Sequence, residues 1–183
     1  MKKYILSLLI PLFVIVCASV TSAQAQKPKA GSVDAKLKEL NITLSPVAPS
    51  TASIIKTVRL GKKIVFTSGH GPDKPGGGQI VGKVGGDLTI AQGQEAARLT
   101  GIALLSSLKA EIGDLSKIKR VVKVLGLVNC TPEFSQQPQV MNAFSDMIVQ
   151  IFGEKGRHAR SAIGTNALPG NIAVEIEMIV ELY

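Results

Sequence analysis

The chain has 183 residues, enough for one domain with a sizeable core plus a short appendage. Lysine and arginine number 21 against 13 acids, a formal charge of +8, yet the cations are scattered and aromatic residues make up 4% of the chain, which argues against a nucleic-acid groove built on stacking. Two cysteines and two histidines leave no Cys-x-x-Cys or His-x-x-x-His pair from which a zinc site would be built.

The front of the chain reads as a leader. Lys2-Lys3 precedes a mostly apolar run from Tyr4 to Val20, and Ala23-Gln24-Ala25 has the small-x-small form of a cleavage site. Residues 1–25 are therefore expected to be a secretory signal peptide, with an uncleaved membrane anchor as the alternative because the apolar run is marginally long enough to span a bilayer. Cys17 follows Val16 rather than a small residue, so a lipid-modified cysteine is not expected. Cleavage removes Lys2 and Lys3, taking the formal charge from +8 to +6, and leaves Cys130 as the one cysteine. The mature chain is expected in the periplasm or secreted, with no membrane association, and its fold must rest on its core rather than on a disulfide.

Residues 26–50 read as a linker and a short helix, and residues 51–183 as the domain. Ser32 caps the helix over Val33-Asp34-Ala35-Lys36-Leu37-Lys38-Glu39-Leu40, and Pro46 and Pro49 break the chain after it. Ile54 to Arg59 suits an extended segment, Gly61-Lys62-Lys63 a turn, and Ile64-Val65-Phe66-Thr67-Ser68 a strand ended by Gly69-His70-Gly71-Pro72. A Gly-rich hairpin loop, Pro75-Gly76-Gly77-Gly78, then leads to a second short strand over Gln79 to Val84. Gly77 to Lys83 matches G-x-x-x-x-G-K, but Val84 stands where a phosphate-binding loop needs Ser or Thr, and Gly85-Gly86 forbids an immediate helix. Nucleotide binding is rejected there.

Thr89 and Gln92 form a capping box that opens the longest helix, and Gly113 stops it. Ala97, Gly101, Leu104, Leu108 and Ile112 give it an apolar, small-residue face expected to pack closely on a sheet. Lys119 to Cys130 is a valine-rich strand, with Lys117, Lys119, Arg120 and Lys123 as the one basic cluster, read as a solvated sheet edge. A second helix runs from about Pro138 to Gly153 with Val140, Phe144, Met147, Ile148 and Ile151 as its stripe, and Asn142 and Asp146 one turn apart beside it. The chain closes with a segment through Arg160, a turn at Pro169-Gly170-Asn171, and a strand in which Val174, Ile176, Met178 and Val180 alternate with Glu175, Glu177, Ile179 and Glu181. These two segments are expected to pair as an antiparallel hairpin that sets Arg160 across from the carboxylate face.

The element order predicts an α+β fold: a mixed sheet with both main helices on one face. Val, Ile and Met on both sheet faces suggest that the second face is buried in a symmetric oligomer.

Ala159-Arg160-Ser161, then Leu168-Pro169, then Val174-Glu175-Ile176-Glu177 resemble, in order and spacing, the closing signature of the YjgF/RidA family, and the likeness extends back to about Ile64. The resemblance implies a chorismate-mutase-like fold assembled as a homotrimer with clefts between subunits for a small-molecule carboxylate ligand. Deaminase members hydrolyse reactive enamines and imines in such clefts, without metal or cofactor. Carried over residue by residue, the family arginine falls on Arg160, its glutamate on Glu175, its helix asparagine on Asn142 and its strand-end serine on Ser68. Arg160 and Glu175 would be catalytic, Arg160 gripping the substrate carboxylate and Glu175 positioning the attacking water, while Ser68 and Asn142 would line the pocket.

Two departures bear on the chemistry. Ser53-Ile54-Ile55-Lys56 stands where deaminase members carry a cleft tyrosine, and His158 replaces the proline common before Ala-Arg-Ser. In addition, Gly82-Lys83-Val84-Gly85, Gly93-Gln94-Glu95-Ala96-Ala97-Arg98 and Gly156-Arg157-His158-Ala159-Arg160 resemble the family branch labelled L-PSP endoribonucleases. The expected function is an enamine or imine hydrolase, with a non-catalytic small-metabolite-binding module as the alternative. A ribonuclease has the least support from the residues.

Overall fold

The computed structural model describes residues 32–49 and 51–183; the expected leader over residues 1–25 lies outside the described residues. Helix α1 (Val33–Glu39) begins where the Ser32 hydroxyl accepts the Ala35 N–H at 3.2 Å, and Leu37 is its buried residue. Strands β1 (Thr57–Leu60) and β2 (Ile64–Thr67) form a hairpin, followed by helix α2 (Ile90–Ile112), strand β3 (Ile118–Asn129), helix α3 (Gln137–Phe152), and strands β4 (Ala159–Thr165) and β5 (Val174–Leu182). From α2 onward the order of strands and helices is the expected one; before it the strand pair is β1 and β2, the extended segment expected over Ile54 to Arg59 supplying the first.

The five strands make one sheet in the order β1-β2-β5-β3-β4. β5 runs antiparallel to both β2 and β3, and β4 lies parallel to β3 at the edge. The closing hairpin therefore does not form. A parallel pair needs a crossover rather than a tight turn, and α3 is that crossover between β3 and β4. The turn at Pro169–Asn171 does reverse the chain, with Gly170 at φ 60 and Asn171 at φ 56, but the reversed chain crosses the end of β3. There the Asn129 N–H donates to Ala173 O at 2.9 Å and the Asn129 side chain to Ile172 O at 3.2 Å, so β5 starts on the far side of β3. Val174, Ile176, Met178, Val180 and Leu182 are all buried, as their alternation requires of a central strand.

The capping box of α2 is formed as expected: Thr89 Oγ1 accepts the Gln92 N–H at 3.3 Å and Gln92 Oε1 accepts the Thr89 N–H at 2.8 Å. The helix packs on the sheet as expected, chiefly on β5, and its Gly101 position meets α3 as well. A Cβ at Gly101 would stand 2.5 Å from Met147 Cε and 2.9 Å from Phe144, so glycine is what lets the two helices touch. The apolar stripe of α3, from Val140 to Ile151, is buried between α2 and the sheet as expected.

The segment over Gln79 to Val84 is not a strand. It makes isolated bridges, Val81 to Ile172 and Val84 to Cys130, because Gly82 at φ 119 and Gly85 at φ 87 bend it out of a continuous ladder. Lys83 anchors this loop to the sheet end, its ammonium donating to Asn129 Oδ1 at 2.9 Å and to the Asn166 carbonyl.

Both main helices lie on one face of the sheet, and the opposite face carries apolar side chains into solvent. Val58, Leu60, Phe66 and Ile163 are 51%, 65%, 39% and 49% exposed. Among the described residues no helix is long and apolar enough to cross a membrane.

Candidate functional site

The predicted site residues fall into two groups at different places on the sheet. Arg160 sits on edge strand β4 and pairs in register with Val124, a fully buried residue of the helix-covered face. Its guanidinium accordingly reaches α3. Nη1 donates to Ser145 Oγ at 2.9 Å, and Nη2 to Asn142 Oδ1 at 3.1 Å and to Pro138 O at 3.4 Å. Residues 138, 142 and 145 are spaced by four and three, which puts them on one helix face, one above another. Arg160 and Asn142, expected to serve one pocket, are thus in direct contact, while Asp146 is exposed and is not among the residues holding the guanidinium.

Behind Arg160 stands His158. Its Nε2 lies 3.1 Å from Ser145 Oγ, its Nδ1 lies 2.6 Å from Gly156 O, and its ring meets Phe144 edge-on at 6.0 Å between centroids. Gly156 makes this approach possible, since a Cβ there would fall 2.5 Å from Ile148 O. Burial pushes the His158 pKa below its ordinary value; the Gly156 carbonyl opposes this and the Arg160 charge adds to it.

The second group gathers where β2 ends. Phe66 pairs with Ile179, but pairing resumes at His70 with Ile176, so β2 carries one residue more than β5 over this stretch. The Thr67 hydroxyl closes the gap, accepting the Met178 N–H at 2.9 Å and donating to Met178 O at 3.3 Å. Ser68 and Gly69 consequently leave the ladder. Ser68 Oγ donates to the Ile55 carbonyl and the Ser68 N–H to Lys56 O at 2.9 Å, so Ser68 lies beside the Ile54-Ile55-Lys56 segment. Against Gly69 rests Glu175, whose Oε1 would be 1.9 Å from a Cβ at that glycine.

His70 locks this bulge from the helix side. It is 4% exposed, with Nδ1 2.8 Å from Ser68 O and Nε2 2.8 Å from Ser107 Oγ on α2. Burial pushes its pKa down; the Ser68 bond and Asp73 oppose this, and Lys56 adds to it.

One chain does not bring Arg160 and Glu175 together. Glu175 pairs with Leu127 and Arg160 with Val124, three residues apart on β3, so their side chains project from opposite faces of the sheet. β3 also separates their strands. The expected opposition of Arg160 to the carboxylates is corrected on both counts: the antiparallel pairing it needed is absent, and the register turns Arg160 toward α3. Ser145 and its bond with His158 were not singled out in the sequence, and Gly69 only as the end of a strand. The spacing of Pro138, Asn142 and Ser145 was readable there, but only the parallel placement of β4 shows what that face serves. Among the described residues no group of three or more His, Cys, Asp or Glu could hold a metal ion.

Comparison with known proteins agrees with this architecture. The family model described as "YjgF/chorismate_mutase-like, putative endoribonuclease" matches residues 35–182. Protein TCP17 of Trypanosoma cruzi is 40% identical over 153 residues, 83% of this chain and 95% of that protein. The Agrobacterium tumefaciens protein Atu1372, of unknown function, is 40% identical at a TM-score of 0.76, over 82% of this chain and 94% of its own. An endoribonuclease-labelled protein of Shewanella oneidensis MR-1 is 28% identical at a TM-score of 0.77, over 82% of this chain and 99% of its own.

Proposed function

Because the chain belongs to the YjgF/chorismate-mutase-like family, we propose that it binds a small carboxylate in a cleft shared by two copies and hydrolyses a reactive imine or enamine there. One observation carries this reading. Arg160 with its α3 partners lies at the unpaired edge of β4, while Glu175 with Ser68 and Gly69 lies across the sheet on the other face. Each half lacks what the other supplies, so a complete site needs Arg160 from one copy beside Glu175 of the next. The apolar side chains of the open sheet face supply the reason to associate, and a homotrimer closes such a repeated contact.

In this site Arg160 holds the substrate carboxylate by charge-assisted hydrogen bonds. Glu175 takes a proton from a water as the water oxygen bonds to the imine carbon and returns it to the nitrogen that receives the C=N electron pair; the resulting carbinolamine breaks its C–N bond, its hydroxyl proton passing through Glu175 to the departing nitrogen, and leaves ammonia and a 2-oxo acid. Ser68 and Asn142 border the bound molecule. The leader expected over residues 1–25 would place this activity outside the cytoplasm. Alternatively, the cleft only binds: Ile54, 73% exposed, and Ile55 lie beside Ser68 where a phenol would offer a hydrogen bond, so retention of Arg160 is compatible with ligand capture alone.

Freshly generated 2-iminobutanoate, incubated with residues 26–183 and with the Arg160→Ala variant, separates these readings. Release of 2-oxobutanoate that is lost in the variant, at unchanged sedimentation, is expected. Saturable binding of 2-oxobutanoate without turnover would assign the binding module instead.

A further inference from the structure

The hydrogen bonds behind Arg160 have one direction. Gly156 O can only accept, so His158 Nδ1, 2.6 Å away, carries the ring proton. In the neutral ring Nε2 is then bare and must accept, and at 3.1 Å the hydroxyl of Ser145 is its donor. Ser145 Oγ, its hydrogen engaged with the ring, offers only lone pairs to other groups, one of which takes the Arg160 Nη1–H at 2.9 Å.

The direction reverses if the ring gains a proton. Nε2 then donates to Ser145, whose oxygen must accept from two cationic groups at once while its own hydrogen loses its acceptor. A second positive charge also stands beside the guanidinium, separated from it by one hydroxyl.

We infer that His158 and Ser145 are positioning residues for Arg160: a neutral His158 ring orients the Ser145 hydroxyl so that its oxygen holds the guanidinium against α3, and proton uptake by the ring releases that hold. This rests on the reading of Arg160 as the carboxylate anchor. The surroundings favour the neutral ring, since burial and the Arg160 charge both depress its pKa against the single opposing bond to Gly156. Around the ring, α3 presents the Ser145 hydroxyl and the edge of Phe144, the turn at Gly153–Gly156 presents a carbonyl, and β4 presents Arg160, the charged group that acts on it. The consequence is a carboxylate site whose affinity weakens as pH falls through the His158 titration, although its anchor never loses its own charge.

Two measurements on the mature chain, residues 26–183, test this. The first needs no ligand. In protein with 15N-labelled histidine, His158 is expected as the Nδ1–H tautomer with a depressed titration midpoint that rises in Arg160→Ala; an Nε2–H tautomer, or a midpoint indifferent to Arg160→Ala, overturns the relay. The second measures binding of 2-oxobutanoate between about pH 5 and pH 8 in wild type, Ser145→Ala and His158→Phe, the phenyl ring keeping the packing on Phe144. Wild type is expected to lose affinity about 2- to 10-fold as His158 titrates, the worth of one hydrogen bond. Both variants are expected to bind at the weakened level with no such step. Affinity that rises as His158 protonates, or a step that persists in His158→Phe, overturns the inference. The expected tautomer and midpoint shift without any 2-oxobutanoate binding by wild type would uphold the relay and refute the carboxylate reading.

Discussion

Gly69 and Glu175 compete for one volume: a Cβ built on residue 69 would stand 1.9 Å from Glu175 Oε1 and 2.8 Å from its Cδ. The glycine is there because a carboxylate lies against its backbone, on the bulge that Thr67 makes by bonding to the Met178 backbone through its side chain.

Gly69→Ala should therefore displace the carboxylate while sparing the fold. The clashing atoms are the far end of a flexible side chain, which swings aside at a cost of about 1 kcal/mol or less in stability. Turnover of 2-iminobutanoate should fall about 10- to 100-fold, because Glu175 no longer aims at the water. Parallel thermal melts and initial rates on the variant check both halves of this expectation.

Thr67→Val keeps the shape and removes the hydroxyl. Met178 N–H and C=O then lose their partner in a residue that is 1% exposed. A loss of about 1–3 kcal/mol is expected, the cost of leaving buried backbone groups unsatisfied, measured by urea unfolding.

Gly101→Val tests the helix–helix contact. The added atoms fall within 3 Å of Met147 and Phe144, both on α3, so α2 and α3 must part or repack. Overpacking of this kind costs about 1–3 kcal/mol, and urea unfolding should report it with an unchanged m-value.

Acid should destabilise the chain through His70. Its folded-state pKa is depressed below 6.5 by burial, so the unfolded chain binds the proton more readily. The stability held above pH 6.5 is lost as pH falls through the depressed folded value, where the ring would have to charge while buried and near Lys56. Melting temperatures measured from about pH 7.5 down to about pH 5 should fall in wild type and fall less in His70→Gln, whose amide keeps a donor and an acceptor without titrating.

Much of this architecture was legible in the residues. Thr89, Gln92 and Gly113 bound α2 because capping chemistry is local, and the alternation from Val174 to Val180 marks a strand because its period is local too. Strand partnership is not local. Nothing in the turn at Pro169-Gly170-Asn171 reveals that the chain first crosses the end of β3 through Asn129, so a hairpin was expected where β5 is inserted between β2 and β3. The same gap hid the division of the site. Arg160 and Asn142 could each be assigned to the pocket from the family signature, but the opposite projection of Glu175 depends on the register of both strands on β3. Ser145 escaped notice because its role needs the ring of His158 beside it.

The shared cleft is tested most directly by mixing two inactive variants, Arg160→Ala and Glu175→Gln, unfolded together in equal amounts and refolded into mixed oligomers. If each site takes Arg160 from one copy and Glu175 from the next, random assembly rebuilds about one quarter of the sites, and turnover of 2-iminobutanoate should return to about that fraction of wild type. Mixed oligomers, verified by mass spectrometry, that stay as inactive as either variant alone would show that both residues must come from one chain, and would contradict the account.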